Sequence, residues 1–394
     1  MMLKTSNKNF IAGTSKYSWH VHHTVYLLFL FLFSSCAVTN NFTPDKKYSP
    51  QQLKEDVQVL EQTLRRNHPS LYWYSSREVI DASFARAYEK VKDSMNENTF
   101  KNLIAETVFP IRCGHTSVRH SAQWNRYQSG TRAPVFPLNL KIADDSTLII
   151  TSNLSKKDSI IKRGMIVTSI NRLTAKQIID TLLPLVAIDG NSKNFSYQNI
   201  SNNFSAYFNS RFAGVNRYTV SYTDYDGKPH QTTVSAGRFV RDSSLRFTTS
   251  DSGRFTETSL RKRRILAARS FIIDTSKQFA TLRIGTFTRS LKRSFLRRSF
   301  KQMHRQQIPN LIIDVRNNGG GLIKSSLLLT RYIKQEQFQF TDSILAVTRA
   351  VRSSATVKKK FFNNLGMLFL SRKESKQRYR FAFFQRTYEP KTGY

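Results

Sequence analysis

Apolar residues recur at helical spacing in the first third of the chain. They alternate with polar residues in the middle, and near the end they run together in two short blocks. This order predicts helices, then strands, then a mixed layer. Leu53, Val57, Leu60 and Leu64 form one stripe, begun by Ser49-Pro50 and stopped by His68-Pro69. A serine cap, a proline in the first turn and a terminal X-Pro step are the expected punctuation of a helix. Amphipathic stretches follow at Val79–Val91 and Phe100–Val108, so residues 48–133 read as an N-terminal helical domain.

From 134 to 237 the period changes to two, as in Leu138–Ile142 and Tyr218–Tyr222, and the stretch reads as mainly β. Arg163–Arg172 reads as a turn, a buried strand and a second turn, with a helix over Ala175–Leu183. Arg238–Arg269 is polar and basic and reads as a linker or exposed hairpin. The remainder predicts a strand at Phe279–Gly285, a basic amphipathic helix near Ser290–Gln306 and a strand at Leu311–Val315. Two buried strands joined by a crossover helix make an α/β layer, and residues 238–394 form the last domain.

The leader stands apart from these domains. Lys4, Lys8 and Lys16 precede the apolar run Val25–Phe33, and Ser34-Ser35-Cys36 follow it. A nine-residue run is too short for a bilayer core of ~30 Å, so it reads as an export signal. The arrangement resembles a bacterial lipoprotein signal: residues 1–36 would be the signal, with Cys36 lipidated, and 37–47 a polar tether. The expected location is the cell envelope, periplasm or outer membrane. Cys113 is the second of only two cysteines, so no disulfide framework follows.

Composition adds one constraint. Lys and Arg number 62 against 26 Asp and Glu, a formal charge of +36. Such a field attracts acidic partners without specifying the fold. No zinc finger, aromatic RNA-binding strand or helix-turn-helix pattern accompanies the charge, so nucleic acid is disfavoured.

Two segments can carry chemistry. In Asp314-Val-Arg-Asn-Asn-Gly-Gly-Gly321 a strand ends in a glycine turn, and the Gly319 and Gly320 amides are candidates for an oxyanion hole. A tight strand-to-helix turn explains the glycines equally well, and a dinucleotide site lacks its G-x-G-x-x-G pattern. In Cys113-Gly-His-Thr116, His115 is a candidate general base, with a structural histidine as the alternative. Cys113 is too close in sequence to be expected to face His115 as a nucleophile. His115 and His120 lack a zinc-binding pattern, so neither metal nor cofactor is implied.

Taken in order, four segments resemble the tail-specific, or C-terminal-processing, serine proteases, in the branch related to the tricorn core protease. They are His68-Pro-Ser-Leu-Tyr72, Cys113–Thr116, the strand and helix around Gly164–Ile179, and Asp314–Gly321. The resemblance covers roughly residues 48–394. It implies an α+β multidomain chain with a helical domain, a PDZ-like β-rich domain and an α/β core of the crotonase or Clp-protease type. It also implies that His115 activates a serine and that Gly319 and Gly320 supply oxyanion donors. The substrates would be unfolded or C-terminal peptide segments.

In that family the nucleophile lies beyond the glycine segment, after a strand carrying Thr-x-Ser-Ala or Phe-Ser-Ala, and neither pattern occurs between Gly321 and Tyr394. The core is therefore expected to be incomplete at its C-terminal side, the polypeptide inactive, and Leu311–Val315 left as an unpaired edge. Ser325, Ser326 and Ser354, the last near Lys358, are weak substitutes by position. The alternative function is a non-catalytic basic binding protein for peptide termini, anionic lipid or polysaccharide. The oligomeric state is not legible.

Overall fold

The computed structural model describes residues 42–130, 134–154, 160–212, 215–238, 268–288, 291–316, 318–341, 345–346, 372–375, 378–380 and 386–391. The leader with Cys36, the basic run Arg261–Arg264, and Ser354 with Lys358 lie outside the described residues.

Ser49 caps α1 (Pro50–Asn67) through a reciprocal box with Gln52, and the helix ends where His68 turns extended before Pro69. A short pair, β1 (Lys47–Tyr48) with β2 (Met95–Asn96), ties the start of α1 to the segment between α2 (Arg77–Lys90) and α3 (Glu97–Val108). Leu53, Val57, Ile80, Phe84, Val108 and Ile111 close one hydrophobic cluster among these helices. A 3₁₀ turn at Phe109–Ile111 ends at Arg112, whose φ of 53° swings the chain into the Cys113 loop. α4 (Ala122–Gly130) carries no apolar stripe and was not legible in the sequence. Glu97 fixes its start by accepting from the Ser121 N–H at 2.6 Å and hydroxyl at 2.8 Å.

β3 (Pro134–Val135) opens the second segment. There β4 (Leu138–Ile142), β5 (Leu148–Asn153), β6 (Ile166–Ile170), β7 (Leu173–Thr174), β8 (Arg217–Thr223) and β9 (Pro229–Ser235) form an antiparallel sheet in the order β4-β5-β6-β8-β9, with β7 on β6. A two-residue strand, β10 (Gly237–Arg238), returns to pair β3. The expected strand and helix after Gly164 are present as β6 and α5 (Ala175–Leu182). Two further helices that the sequence reading did not expect, α6 (Asn194–Asn202) and α7 (Phe204–Phe212), add to this mainly β stretch. Their Asn- and Ser-rich sequence has low helix propensity. Packing overrides it: Ile200 of α6 is buried in the sheet's hydrophobic cluster, and Phe204 and Phe208 of α7 lie with Phe136 and Tyr218 in one aromatic cluster, with ring centroids 4.6 Å apart for Phe136 and Phe208.

The helical and sheet segments are joined by a polar interface. Asn98 and Asn102 both donate to the Ser210 carbonyl at 2.7 Å, and Arg211 pairs Glu106 at 2.6 Å. Ala105 of α3 belongs to the hydrophobic cluster of the sheet.

The third hydrophobic cluster belongs to the last segment. β12 (Phe279–Ile284) pairs antiparallel with β11 (Arg269–Ile273) and parallel with β13 (Asn310–Asp314). The crossover is α8 (Arg293–Arg305), as its basic amphipathic pattern predicts, and α9 (Ile323–Ile333) follows the glycine turn. Both helices cover the face bearing Leu282 and Ile284, and Phe300 stacks on Tyr332. β13 is an edge strand among the described residues, and Ile272 and Ile312 of the other face are exposed. The chain thus mixes helices with several sheets in a multidomain arrangement.

Candidate active site

Cys113, Gly114, His115 and Thr116 form a reverse turn, closed by the Thr116 N–H donating to the Cys113 carbonyl at 2.9 Å. His115 stands at its exposed tip, where a substrate could reach the imidazole. Cys113 is half-buried and packs against the helical cluster.

The turn is held from two sides. Its Gly114 N–H donates to Asp189 Oδ1 at 2.6 Å, and the Gly190 N–H donates to the Arg112 carbonyl at 2.9 Å. Gly190 adopts φ +67°, which favours glycine at that position. On the other side His68 Nδ1 accepts the Ser70 N–H at 3.2 Å, so the proton of the neutral ring sits on Nε2 and is given to Thr116 Oγ1 at 2.8 Å. Burial lowers the His68 pKa and keeps that ring neutral.

The end of the first helix and the Gly-His-Thr loop, separate in sequence, therefore touch. Sequence reasoning missed Asp189 altogether and saw His68 as a helix stop and as the start of a family-like segment, not as a partner of Thr116. Asp189 lies 75 residues from Gly114. Its only local signal is the Asp189-Gly190 turn dipeptide. One carboxylate oxygen of Asp189, Cys113 Sγ and a His115 ring nitrogen all lie within 4.8 Å of one another. The expectation that Cys113 and His115 do not face each other is thereby corrected: a tight turn brings both side chains to one side.

The glycine turn is built at the end of β13. Arg316 grips Asp314 through two bonds of 2.9 Å, and this pairing holds the carboxyl down at about 2. Asn318 Nδ2 donates to the Ile284 carbonyl at 2.8 Å, while its Oδ1 accepts the Gly320 N–H at 2.8 Å. The Gly320 amide is thus engaged internally. The Gly319 N–H has no hydrogen-bond partner among the described residues, and open space surrounds the glycine. Gly321 is different again: it makes a parallel bridge with Phe287, and a Cβ there would lie 2.6 Å from the Phe287 carbonyl carbon. The three glycines hence divide into an open amide, an occupied one and a close backbone approach.

Among the described residues no hydrogen bond joins the His115 loop to this turn. Ser325 is buried on α9, and the Ser326 hydroxyl donates to the Ile323 carbonyl at 2.8 Å.

Residues 278–375 match the model of peptidase family S41. The match runs from β12 through the glycine turn and α9 and supports the tail-specific protease resemblance. No curated protein matches the chain. Among solved structures the chain is similar to mature CPAF, at 13% identity and a TM-score of 0.47 over 75% of this chain and 60% of that one. It is also similar to mature CPAF complexed with lactacystin, at 13% identity and a TM-score of 0.46 over 75% and 61%. The chain therefore spans about 60% of the length of these structures.

Proposed function

We propose that this protein is built as a serine-type peptidase of the tail-specific kind and acts on unfolded or C-terminal polypeptide segments in the cell envelope, anchored by lipid at Cys36. The observation that carries the reading is the S41 match over 278–375, which contains a glycine turn whose Gly319 amide is open.

In this mechanism His115 takes the proton from a serine hydroxyl. The serine oxygen attacks the peptide carbonyl, and Gly319 donates to the oxyanion. The proton then passes from His115 to the leaving amine, and water hydrolyses the acyl-enzyme. Gly320 joins Gly319 as a donor once its amide leaves Asn318 Oδ1. The segment 134–237 serves as a PDZ-like module that captures a chain end by strand addition. Because Ser325 is buried and the Ser326 hydroxyl is bonded within its own helix, we infer that the described serines of α9 do not supply the nucleophile.

A second reading has its own observation: α8 exposes Arg293, Arg297, Arg298 and Arg305, a basic face suited to anionic lipid or polysaccharide. Hydrolysis of a labelled unfolded polypeptide and binding of free peptide C-termini, each over a salt series, separate the two. Salt-insensitive capture of C-termini supports the peptidase-like reading. Binding confined to anionic surfaces and lost as salt rises supports the second. Turnover that disappears in Ser325→Ala would overturn the assignment of the nucleophile away from α9.

A further inference from the structure

The cluster at the tip of the Cys113–Thr116 turn has the chemistry of a transition-metal site. A thiol, an imidazole and a carboxylate converge there, each offering one ligand atom within 4.8 Å of the other two. Tetrahedral zinc, with bonds of about 2.0–2.3 Å, places its ligand atoms roughly 3.3–3.7 Å apart, so small side-chain rotations suffice to close this set on an ion.

The backbone beneath the ligands is pinned. Asp189 is oriented by the Gly114 N–H at 2.6 Å, and its loop is fastened to the turn by Gly190 N–H to the Arg112 carbonyl at 2.9 Å. Gly114 allows the close approach: a Cβ there would stand 2.6 Å from Asp189 Oδ2. Cys113 is anchored by packing on the helical cluster, whereas His115 and Asp189 are exposed, which leaves solvent access to a fourth position.

We propose that Cys113, His115 and Asp189 bind one zinc ion, with water as the fourth ligand. Thiolate and imidazole together select zinc or cobalt over magnesium and calcium, which require sets of oxygen ligands. The thiol loses its proton on binding, so affinity rises with pH. The site has a consequence that rests on the peptidase reading above: a His115 nitrogen that holds the metal cannot accept a serine proton, so occupancy switches that base off.

The test is titration of the full chain in a Cys36→Ser background with cobalt(II), followed by its thiolate-to-cobalt charge-transfer absorption and its tetrahedral ligand-field bands. The expected result is saturation at one cobalt per chain, with both signals removed by added zinc. Cys113→Ser should lose the charge-transfer band. His115→Gln and Asp189→Asn should weaken binding by more than about tenfold, the loss seen even when an outer-shell partner of a metal ligand is removed. Alkylation of Cys113 in the otherwise unsubstituted background should abolish the band, which covers the case of a substitution that fails to fold. Absence of a saturable thiolate band, or unchanged binding in all three substituted proteins, would overturn the proposal. Because the readout is spectroscopic, it stands or falls separately from any peptidase activity.

Discussion

Asp189 Oδ1 accepts the Gly114 N–H at 2.6 Å, and this bond ties the loop that carries His115 to a segment 75 residues away. Gly114 does not adopt a positive φ, so its backbone tolerates alanine. The obstacle to a side chain there is the carboxylate itself, with Asp189 Oδ2 2.6 Å from a built Cβ. Gly114→Ala is therefore expected to destabilise the protein by about 2 kcal/mol, the scale of overpacking. Asp189→Ala should remove about half of that penalty, so the double variant should be more stable than the two single costs predict, with a coupling of about 1 kcal/mol in a urea-melt cycle. Strict additivity would show that the two residues do not meet in solution.

The hairpin between β6 and β7 turns at Asn171-Arg172, where φ is 47° and 69°. Both values belong to the left-handed region, as in the two-residue turns that favour Asn-Gly. Asn171 suits its place: its N–H donates to the Thr219 carbonyl and its Oδ1 accepts the Thr219 N–H, both at 2.9 Å. Arg172 is exposed and strained. Arg172→Gly should raise stability by about 1 kcal/mol, read as a higher urea midpoint with unchanged slope. A lower midpoint would show that the arginine side chain contributes more than its backbone costs.

What the sequence could reveal follows from how far each signal reaches along the chain. The helices α1 to α3, the strand β6 and the β12–α8–β13 unit were legible because periodicity and end signals are local. Serine-proline starts α1, for example, and His68-Pro69 stops it. The helices α6 and α7 were not, because they are held by packing on the sheet, α6 through Ile200 and α7 through Phe204 and Phe208 against Phe136 and Tyr218. The site shows the same division. His115 and the glycine turn were visible as motifs, while Asp189 and the His68 to Thr116 contact depend on chain crossings that no spacing encodes.

The glycine turn gives a contrast that distinguishes its members. Gly321 has φ +143° and sits where a Cβ would strike the Phe287 and Thr288 backbone at 2.6–2.9 Å. Neither neighbour can yield without breaking the pairing of Phe287 N–H with the Gly320 carbonyl and of Leu322 N–H with the Phe287 carbonyl, each at 2.9 Å. Gly321→Ala should therefore cost about 3 kcal/mol, combining left-handed strain with overpacking. Gly319→Ala meets nothing and should change stability by less than about 0.5 kcal/mol. Equal melting temperatures for the two variants would contradict the division of roles in this turn.

Two half-buried histidines make the fold sensitive to acid. His120 stacks on Trp124 at 4.6 Å and donates from Nε2 to Asn98 Oδ1 at 3.0 Å. Burial, with Lys101 nearby, lowers its pKa to about 4 against a smaller opposing pull from Glu97. His68 is lowered by burial as well. In the unfolded chain both rings take up a proton near pH ~6.5, whereas the folded protein resists until lower pH. The unfolded state therefore binds more protons in this window. Stability is fully present above about pH 6.5 and declines as the pH falls towards the folded values. Replacing His120 by Gln, which keeps a donor for Asn98 but cannot titrate, should flatten the loss of stability between about pH 7 and pH 5. Urea midpoints across that range provide the measurement. An unchanged slope in His120→Gln would mean that the ring is already solvated in the folded protein, and that the acid sensitivity arises at His68 and its bond to Thr116.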